Sequence, residues 1–266
     1  MEAGPFIRWA GSKRKLLPKL VPYWGTDYKR YVEPFMGSAC LFYAIQPAKA
    51  VLGDANSRLV DTFVTVRDHP LAVWRRLQAI PLGPDSYYLI REMQGQSLDK
   101  VDCAAHFIFL NRFCFNGLYR TDSTGRFNVP YSSSRTGNLP TQQELSLASR
   151  ALRSADLVCA DFEEVLLTTK RGDFAYLDPP YAVGNRRMFR QYGPDCFGTD
   201  DLGRLAKALI QIDNRGVHFV LSYALCKEAL DILGGWNTRR VFTQRNISGF
   251  SNKRRRAVEV IISNIA

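Results

Sequence analysis

Short apolar, β-branched runs alternate along this chain with longer stretches whose apolar residues recur at helical spacing. The runs that read as strands are Tyr31–Phe35, Ala50–Asp54, Asp156–Ala160, Asp173–Asp178, Val217–Ser222, Arg239–Thr243 and Val258–Ile262. The first five are nearly continuous in apolar character, as expected of parallel strands covered on both faces. Helical patterns fall at about 12–22, 38–47, 200–214 and 224–233. Strands alternating with helices imply an α/β, doubly wound, mostly parallel seven-stranded sheet. No helix-length segment separates the last two strands, which predicts an antiparallel closing pair.

The stretch from 57 to 150 breaks this rhythm. It reads as helices at 58–68, 70–79 and 99–113, followed by a polar, Gly- and Ser-rich segment from Asn116 to Asn138. Within it, Thr121-Asp122-Ser123-Thr124-Gly125-Arg126 has the chemistry of a hairpin turn. The economical reading is an insertion of helices and a β-hairpin on a connection of the sheet. The core is then divided into residues 1–56 and 151–266.

Composition adds a partner class. With 266 residues, 46% hydrophobic, the chain has material for a large core, which excludes disordered, collagen-like and coiled-coil classes. No apolar run is long enough to span a bilayer. The N-terminal residues lack the order of a signal peptide, and a cytoplasmic protein with no membrane partner is expected. Six scattered cysteines without a C-x-x-C pair argue for reduced thiols, with no metal and no disulfide framework; they are expected in the core. His69, His106 and His218 are isolated and read as structural or surface residues.

The net charge of +11 is concentrated. Residues 8–30 carry seven Lys and Arg against Asp27 alone, and residues 239–256 carry seven with no acid, so the remainder of the chain is slightly acidic. A lone basic run is ordinarily solvated surface. Two acid-poor runs interleaved with Trp9, Phe242 and Phe250 suit a polyanion if the fold brings them together.

Three motifs carry chemistry. Asp178-Pro179-Pro180-Tyr181 ends an apolar strand, and the carboxyl ends of strands are where open α/β sheets bind ligands. An exocyclic amine on an aromatic ring is a poor nucleophile because its lone pair is delocalised. A carboxylate (Asp178) and a backbone carbonyl (Pro179) can accept both N–H groups and favour a more tetrahedral nitrogen. Pro180 restricts the backbone, and Tyr181 offers a face for base stacking. The second motif, Glu33-Pro34-Phe35-Met36-Gly37-Ser38-Ala39, is a small-residue turn that lets a ligand approach the backbone. After the next strand, Asp54 suits ribose hydroxyls or a helix N-cap equally well. The third motif is Phe6-Ile7-Arg8-Trp9-Ala10-Gly11-Ser12-Lys13.

In this order these motifs resemble the Dam-type (class alpha) DNA adenine-N6 methyltransferases. The resemblance extends to Asn111-Arg112-Phe113, Phe115–Arg120, Gly125–Pro130, Cys159–Phe162 and Glu259–Asn264, covering nearly the whole chain. It implies a Rossmann-like methyltransferase core in which 57–150 is a target-recognition domain. S-adenosylmethionine would be held by Trp9, Lys13, Phe35, Gly37, Ser38, Asp54, Asp161, Phe162 and Asp178. Double-stranded DNA would be contacted by Arg112, Phe115, Asn116, Leu118, Arg120, Asn128, Pro130 and Arg135. Arg120 is a natural bidentate partner for guanine and Pro130 an apolar contact for a thymine methyl. Apart from the resemblance, Arg186, Arg187 and Arg190 just after the tetrapeptide read as guides for phosphates by their position, with a solvated loop as the alternative.

The resemblance further implies a bacterial or phage enzyme that flips adenine from the duplex, with GATC as the leading target, acting as a monomer or weak dimer. Ala39 stands where the family usually has glycine, Thr121-Asp122 where an aromatic-Asn pair is common, and Tyr223 where Asn is frequent. The alternatives are a cytosine-N4 methyltransferase, a glutamine or RNA methyltransferase of similar core, and a DNA-binding homologue without catalysis.

Overall fold

A computed structural model describes residues 2–94, 96–133, 137–181, 197–244 and 256–265. The strands are β1 (Tyr31–Glu33), β2 (Ala50–Asp54), β3 (Ala155–Cys159), β4 (Phe174–Leu177), β5 (His218–Ala224), β6 (Asn237–Gln244) and β7 (Arg256–Ser263). They form one sheet in the order β3-β2-β1-β4-β5-β7-β6. The first five run parallel, while β7 enters antiparallel between β5 and β6. All seven expected strands are present, and the mostly parallel sheet with an antiparallel close is the one expected. Burial on both faces holds for β1, β2 and β4 but not for β3, whose Val158 is exposed because β3 is a sheet edge.

From β1 the chain first winds outward to β2 and β3, then returns to place β4 on the other side of β1. Between β1 and β4 the winding reverses, and the carboxyl ends of those two strands flank a crevice of the kind that binds ligands in open α/β sheets.

The helical pattern at 12–22 resolves into two 3-10 turns around a short helix, α1 (Leu17–Leu20). Pro18 and Pro22 remove the amide donors a continuous helix would need. Helix α2 (Cys40–Ile45) is shorter than its pattern because Ala39 and Gln46 adopt left-handed backbone at its two ends. Between β2 and β3 lie α3 (Ser57–Asp68), α4 (Pro70–Gln78), α5 (Pro84–Glu92), α6 (Lys100–Phe113) and α7 (Gln142–Leu152). The sequence pattern missed α5, which buries only Tyr87 and Ile90, and α7, whose Thr141/Glu144 capping box was a legible start signal. Helices α8 (Phe162–Leu167), α9 (Thr199–Asn214) and α10 (Lys227–Leu233) complete the described set.

One hydrophobic core joins Tyr31, Leu52 and Phe174 of the sheet to Leu59, Phe63, Ile108 and Leu145 of the inserted helices. The insertion is therefore packed as an extension of one sheet face. The opposite face is covered by α8 and α9 through Val165, Leu205 and Leu209. Cys40 and Cys114 are buried as expected, but Cys103 and Cys159 are exposed, the one on an outward position of α6 and the other at the end of the edge strand β3. No helix among the described residues is long and apolar enough to cross a membrane.

Candidate active site

The expected catalytic tetrapeptide begins where β4 ends. Asp178 leaves the sheet beside β1 and β5, Pro179 is buried, Pro180 is exposed and Tyr181 is half-buried. Lys13, in the 3-10 turn Lys13–Leu16, is buried and donates from Nζ to Asp178 Oδ1 at 2.6 Å and to the Gly11 carbonyl at 3.0 Å. Ser222 on β5 donates its hydroxyl to the same Oδ1 at 3.1 Å. Burial raises the Asp178 carboxyl, and Lys13 and Ser222 oppose that rise by stabilising its charged form. Burial alone would depress the Lys13 ammonium, yet Asp178, with Tyr181 and Glu259, holds it above its ordinary value. Each group thus favours the charged form of the other.

The Lys13 ammonium also lies 5.3 Å from the centre of the Tyr181 ring, which packs edge-on against Tyr223 at 5.1 Å. Tyr223, standing where Asn is frequent in the family, thus supports the aromatic residue that closes the tetrapeptide. Glu33 and Glu259 bring two more buried carboxyl groups to this region; burial raises Glu33 well above the usual carboxylate range, and Tyr31 donates to it at 2.8 Å.

Across the crevice, the turn after β1 is held by side chains rather than by helix caps. Asp54 accepts Gly37 N–H on Oδ2 at 3.1 Å and Asn56 N–H on Oδ1 at 3.0 Å. Burial lifts its carboxyl to about 6 against the pull of these two amides. Its helix-capping alternative is excluded, because Asn56 caps α3 by accepting Leu59 N–H. Ser38 bonds Ser12 through their hydroxyls at 3.2 Å. Gly37 has positive φ, and a Cβ there would come within 2.7 Å of Trp9 Cδ1, so only glycine lets Trp9 lie against this turn.

The Trp9 ring then stacks on Tyr119 at 5.7 Å and 24°. One unbroken set of contacts thus runs from Asp54 through Gly37 and Trp9 to the base of the hairpin.

At the end of β3, Asp161 caps α8 by accepting Glu163 N–H at 2.9 Å and also accepts from Arg204 at 2.8 Å. Phe162 is buried, stacks on Phe35 at 5.3 Å, and carries the Arg204 guanidinium over its ring at 4.9 Å. Phe197 closes the aromatic group edge-on to Phe35. Sequence reading did not find Ser222, Tyr176, Arg204 or Phe197. Arg204 and Phe197 sit in no motif and meet the site only through α9 and the loop before it, whereas Ser222 stood at a visible strand end.

The expected DNA-contacting residues divide by geometry. Phe115 is 42% exposed at the tip of a turn in which Asn116 adopts left-handed backbone, and Pro130 is exposed. Arg120 Nε donates to Asn128 Oδ1 at 2.6 Å across the hairpin, whose strands meet at the Thr121–Phe127 and Cys114–Tyr131 bridges. Leu118 is half-buried beside them. Arg112 is engaged differently: its guanidinium donates to the Phe6 carbonyl at 2.7 and 3.0 Å, tying the N-terminal segment to α6. That tie competes with a direct DNA contact. Arg135, Arg186, Arg187, Arg190 and the basic run 245–255 lie outside the described residues. Among the described residues no group of His, Cys, Asp and Glu is arranged to hold a metal ion.

Comparison with known proteins gives the family. The family model described as D12 class N6 adenine-specific DNA methyltransferase matches residues 9–247. The type II methyltransferase M1.LlaDCHI of Lactococcus lactis subsp. cremoris is 30% identical, over 98% of this chain and 95% of its own length. The type II methyltransferase M.MjaIII of Methanocaldococcus jannaschii is 31% identical, over 99% of this chain and 100% of its own. A DNA adenine methylase of Haemophilus influenzae is 29% identical, over 97% and 92%.

Proposed function

The chain belongs to the D12 class N6 adenine-specific DNA methyltransferase family, and we propose that its methyl donor is S-adenosylmethionine and its acceptor an adenine flipped from duplex DNA, at a short site containing GATC. The observation that carries this reading is the position of Asp178: at the carboxyl end of β4, across the crevice from the Phe35–Ala39 turn, with Lys13 hydrogen-bonded to its carboxylate.

The residues present fit the donor. Asp54 retains lone pairs for ribose hydroxyls after its two backbone bonds, Gly37 leaves room beside Trp9, and the Phe35 face next to Phe162 and Asp161 suits an adenine ring. Ser38 steadies the turn through Ser12. When bound, the donor supplies an electrophilic methyl group on a sulfonium sulfur.

This chain's residues do the rest. Asp178 and the Pro179 carbonyl accept the two N–H groups of the adenine amine, drawing its lone pair out of the ring and toward the methyl carbon. Tyr181 stacks on the base, held by Tyr223. Transfer would bond the methyl carbon to the amine nitrogen, leave the donor as a neutral thioether, and release the surplus amine proton by way of Asp178 to solvent. Orientation and a fixed negative charge between two reactants supply the acceleration. Residues 57–150 choose the sequence, with Arg120, Asn128, Leu118 and Pro130 at base edges and Phe115 and Asn116 entering the opened stack.

The test is nucleoside mass spectrometry of unmethylated duplex DNA incubated with the protein and S-adenosylmethionine. N6-methyldeoxyadenosine is expected from the wild type and not from Asp178→Asn. N4-methyldeoxycytidine in its place, or no methylated nucleoside from any duplex, would overturn the proposal.

A further inference from the structure

The Asp178 carboxylate is held on one side only. Among the described residues, the hydrogen bonds to its side chain, from Lys13 at 2.6 Å and Ser222 at 3.1 Å, both fall on Oδ1. The side chain keeps 19% of its surface exposed, so the group is gripped from behind and open in front.

The grip comes from a buried pair of hydroxyls. Parallel pairing sets Tyr176 beside Val220 and Leu177 beside Leu221, so the next step along both strands brings Asp178 level with Ser222. Tyr176 and Asp178, two residues apart along β4, project to the same side of the sheet. Ser222 and Tyr176 are almost fully buried, and their hydroxyl oxygens lie 3.0 Å apart. A serine hydroxyl has one proton. If that proton goes to the carboxylate, the Tyr176 proton must go to Ser222. The hydrogen bonds thus run in one direction, from the Tyr176 hydroxyl to Ser222 Oγ to Asp178 Oδ1. Tyr176 is suited to the donor role, because burial and the nearby Asp178 charge both oppose its ionisation.

We propose that Ser222, backed by Tyr176, is a positioning residue for methyl transfer: it fixes Oδ1 so that Oδ2 is the oxygen presented to the amine. The proposal rests on the reading of Asp178 as the amine acceptor. It assigns a task to the second half of β5, where a single hydroxyl decides the rotation of a carboxylate at the end of the neighbouring strand. Lys13 can supply charge to either oxygen by a small movement of its flexible stem, but Ser222 is fixed by the sheet and cannot follow a rotated carboxylate.

Removing the hydroxyl has two consequences. Asp178 gains rotational freedom, and its charged form loses a donor, so its protonation moves to higher pH. The other groups facing it are Lys13 from the N-terminal turn, Glu33 on β1, Cys40 at the start of α2, Tyr176 on β4 and Glu259 on β7, with Tyr181 against Lys13. None of these changes in the variants below except Tyr176 itself.

The experiment measures single-turnover methyl transfer to duplex DNA as a function of pH, with cofactor affinity determined separately. Ser222→Ala is expected to slow the step about 10- to 100-fold, the loss that accompanies one hydrogen bond to a charged group. Its acid limb should move to higher pH, with cofactor affinity unchanged. Tyr176→Phe, which keeps the ring and its packing, should move both quantities in the same direction by less. Rates and acid limbs equal to wild type in both variants would overturn the proposal. So would a loss that is uniform with pH and matched by weaker cofactor binding, since that is the mark of damaged packing. A wild-type protein that transfers no methyl group would instead strike at the assignment of Asp178.

Discussion

Lys13 and Asp178 are 165 residues apart in the chain and 2.6 Å apart in the fold, a nearly buried ion pair that joins the N-terminal turn to the end of β4. Each member explains the other. The ammonium opposes the rise that burial gives the carboxyl, and the carboxylate makes it tolerable to bury a lysine beside Tyr181. The resemblance assigned Lys13 to the cofactor, whereas its ammonium donates here to the Asp178 carboxylate and to the Gly11 carbonyl.

Breaking this pair from one side should therefore be costly. Lys13→Met is expected to destabilise the fold by about 3–5 kcal/mol, the range for a buried charge left without its partner. Methyl transfer should fall with it, as Asp178 becomes protonated at higher pH. Urea unfolding, followed by rate measurements on the folded fraction, checks both. Unchanged stability would show that the ion pair is not what holds the turn against β4.

Asp54 should make cofactor binding depend on pH in the weakly acidic range. Folding raises this carboxyl from 3.8 to about 6, so the folded chain holds the proton more tightly than the unfolded one. In the free protein its stability contribution is fully present below the lower value and is lost as pH rises through about 6. Ribose hydroxyls donate to the charged form, so binding works in the opposite sense. S-adenosylmethionine affinity should rise with pH up to about 6 and level off above it. Asp54→Asn should bind weakly and without that dependence. Calorimetric titration between about pH 4 and pH 8, roughly two units either side of the midpoint, measures this.

Arg120 should govern one position of the DNA target. Its bond to Asn128 holds the guanidinium in place on the hairpin, and a fork of donors is what guanine O6 and N7 require. Arg120→Lys keeps the charge and removes the fork. Discrimination at one base pair should fall by about 1–3 kcal/mol, while affinity for unrelated duplex and its salt dependence stay close to wild type. Competition between oligonucleotides differing at single positions reads this directly. A uniform loss across all sequences would assign Arg120 to phosphate instead.

The hairpin and the turn after β1 meet through Trp9 stacked on Tyr119, and this contact illustrates how far local pattern reaches. Trp9 and the glycine turn were both visible as motifs. That Gly37 is required by the Trp9 ring, and that the same ring continues to Tyr119, depends on the N-terminal segment being tied to α6 by Asn111 and Arg112. No spacing rule links residue 9 to residue 119.

What the amino-acid sequence determined by itself is the local order. The seven strands, the insertion between the second and third, and Asp178 at a strand end follow from apolar periodicity and turn chemistry, which depend on neighbours in the chain. It also carried, through α7's capping box, a helix start that periodicity alone passed over. Tertiary structure decided everything that requires two distant segments to share a place. The return of the chain to set β4 beside β1 creates the crevice, and the pairing of β4 with β5 brings Ser222 to Asp178. Packing of the inserted helices on the sheet directs Arg112 to a backbone carbonyl. Strand order and register are settled by burial of whole faces across the chain, so the partners of Asp178 become definite only when the sheet has closed.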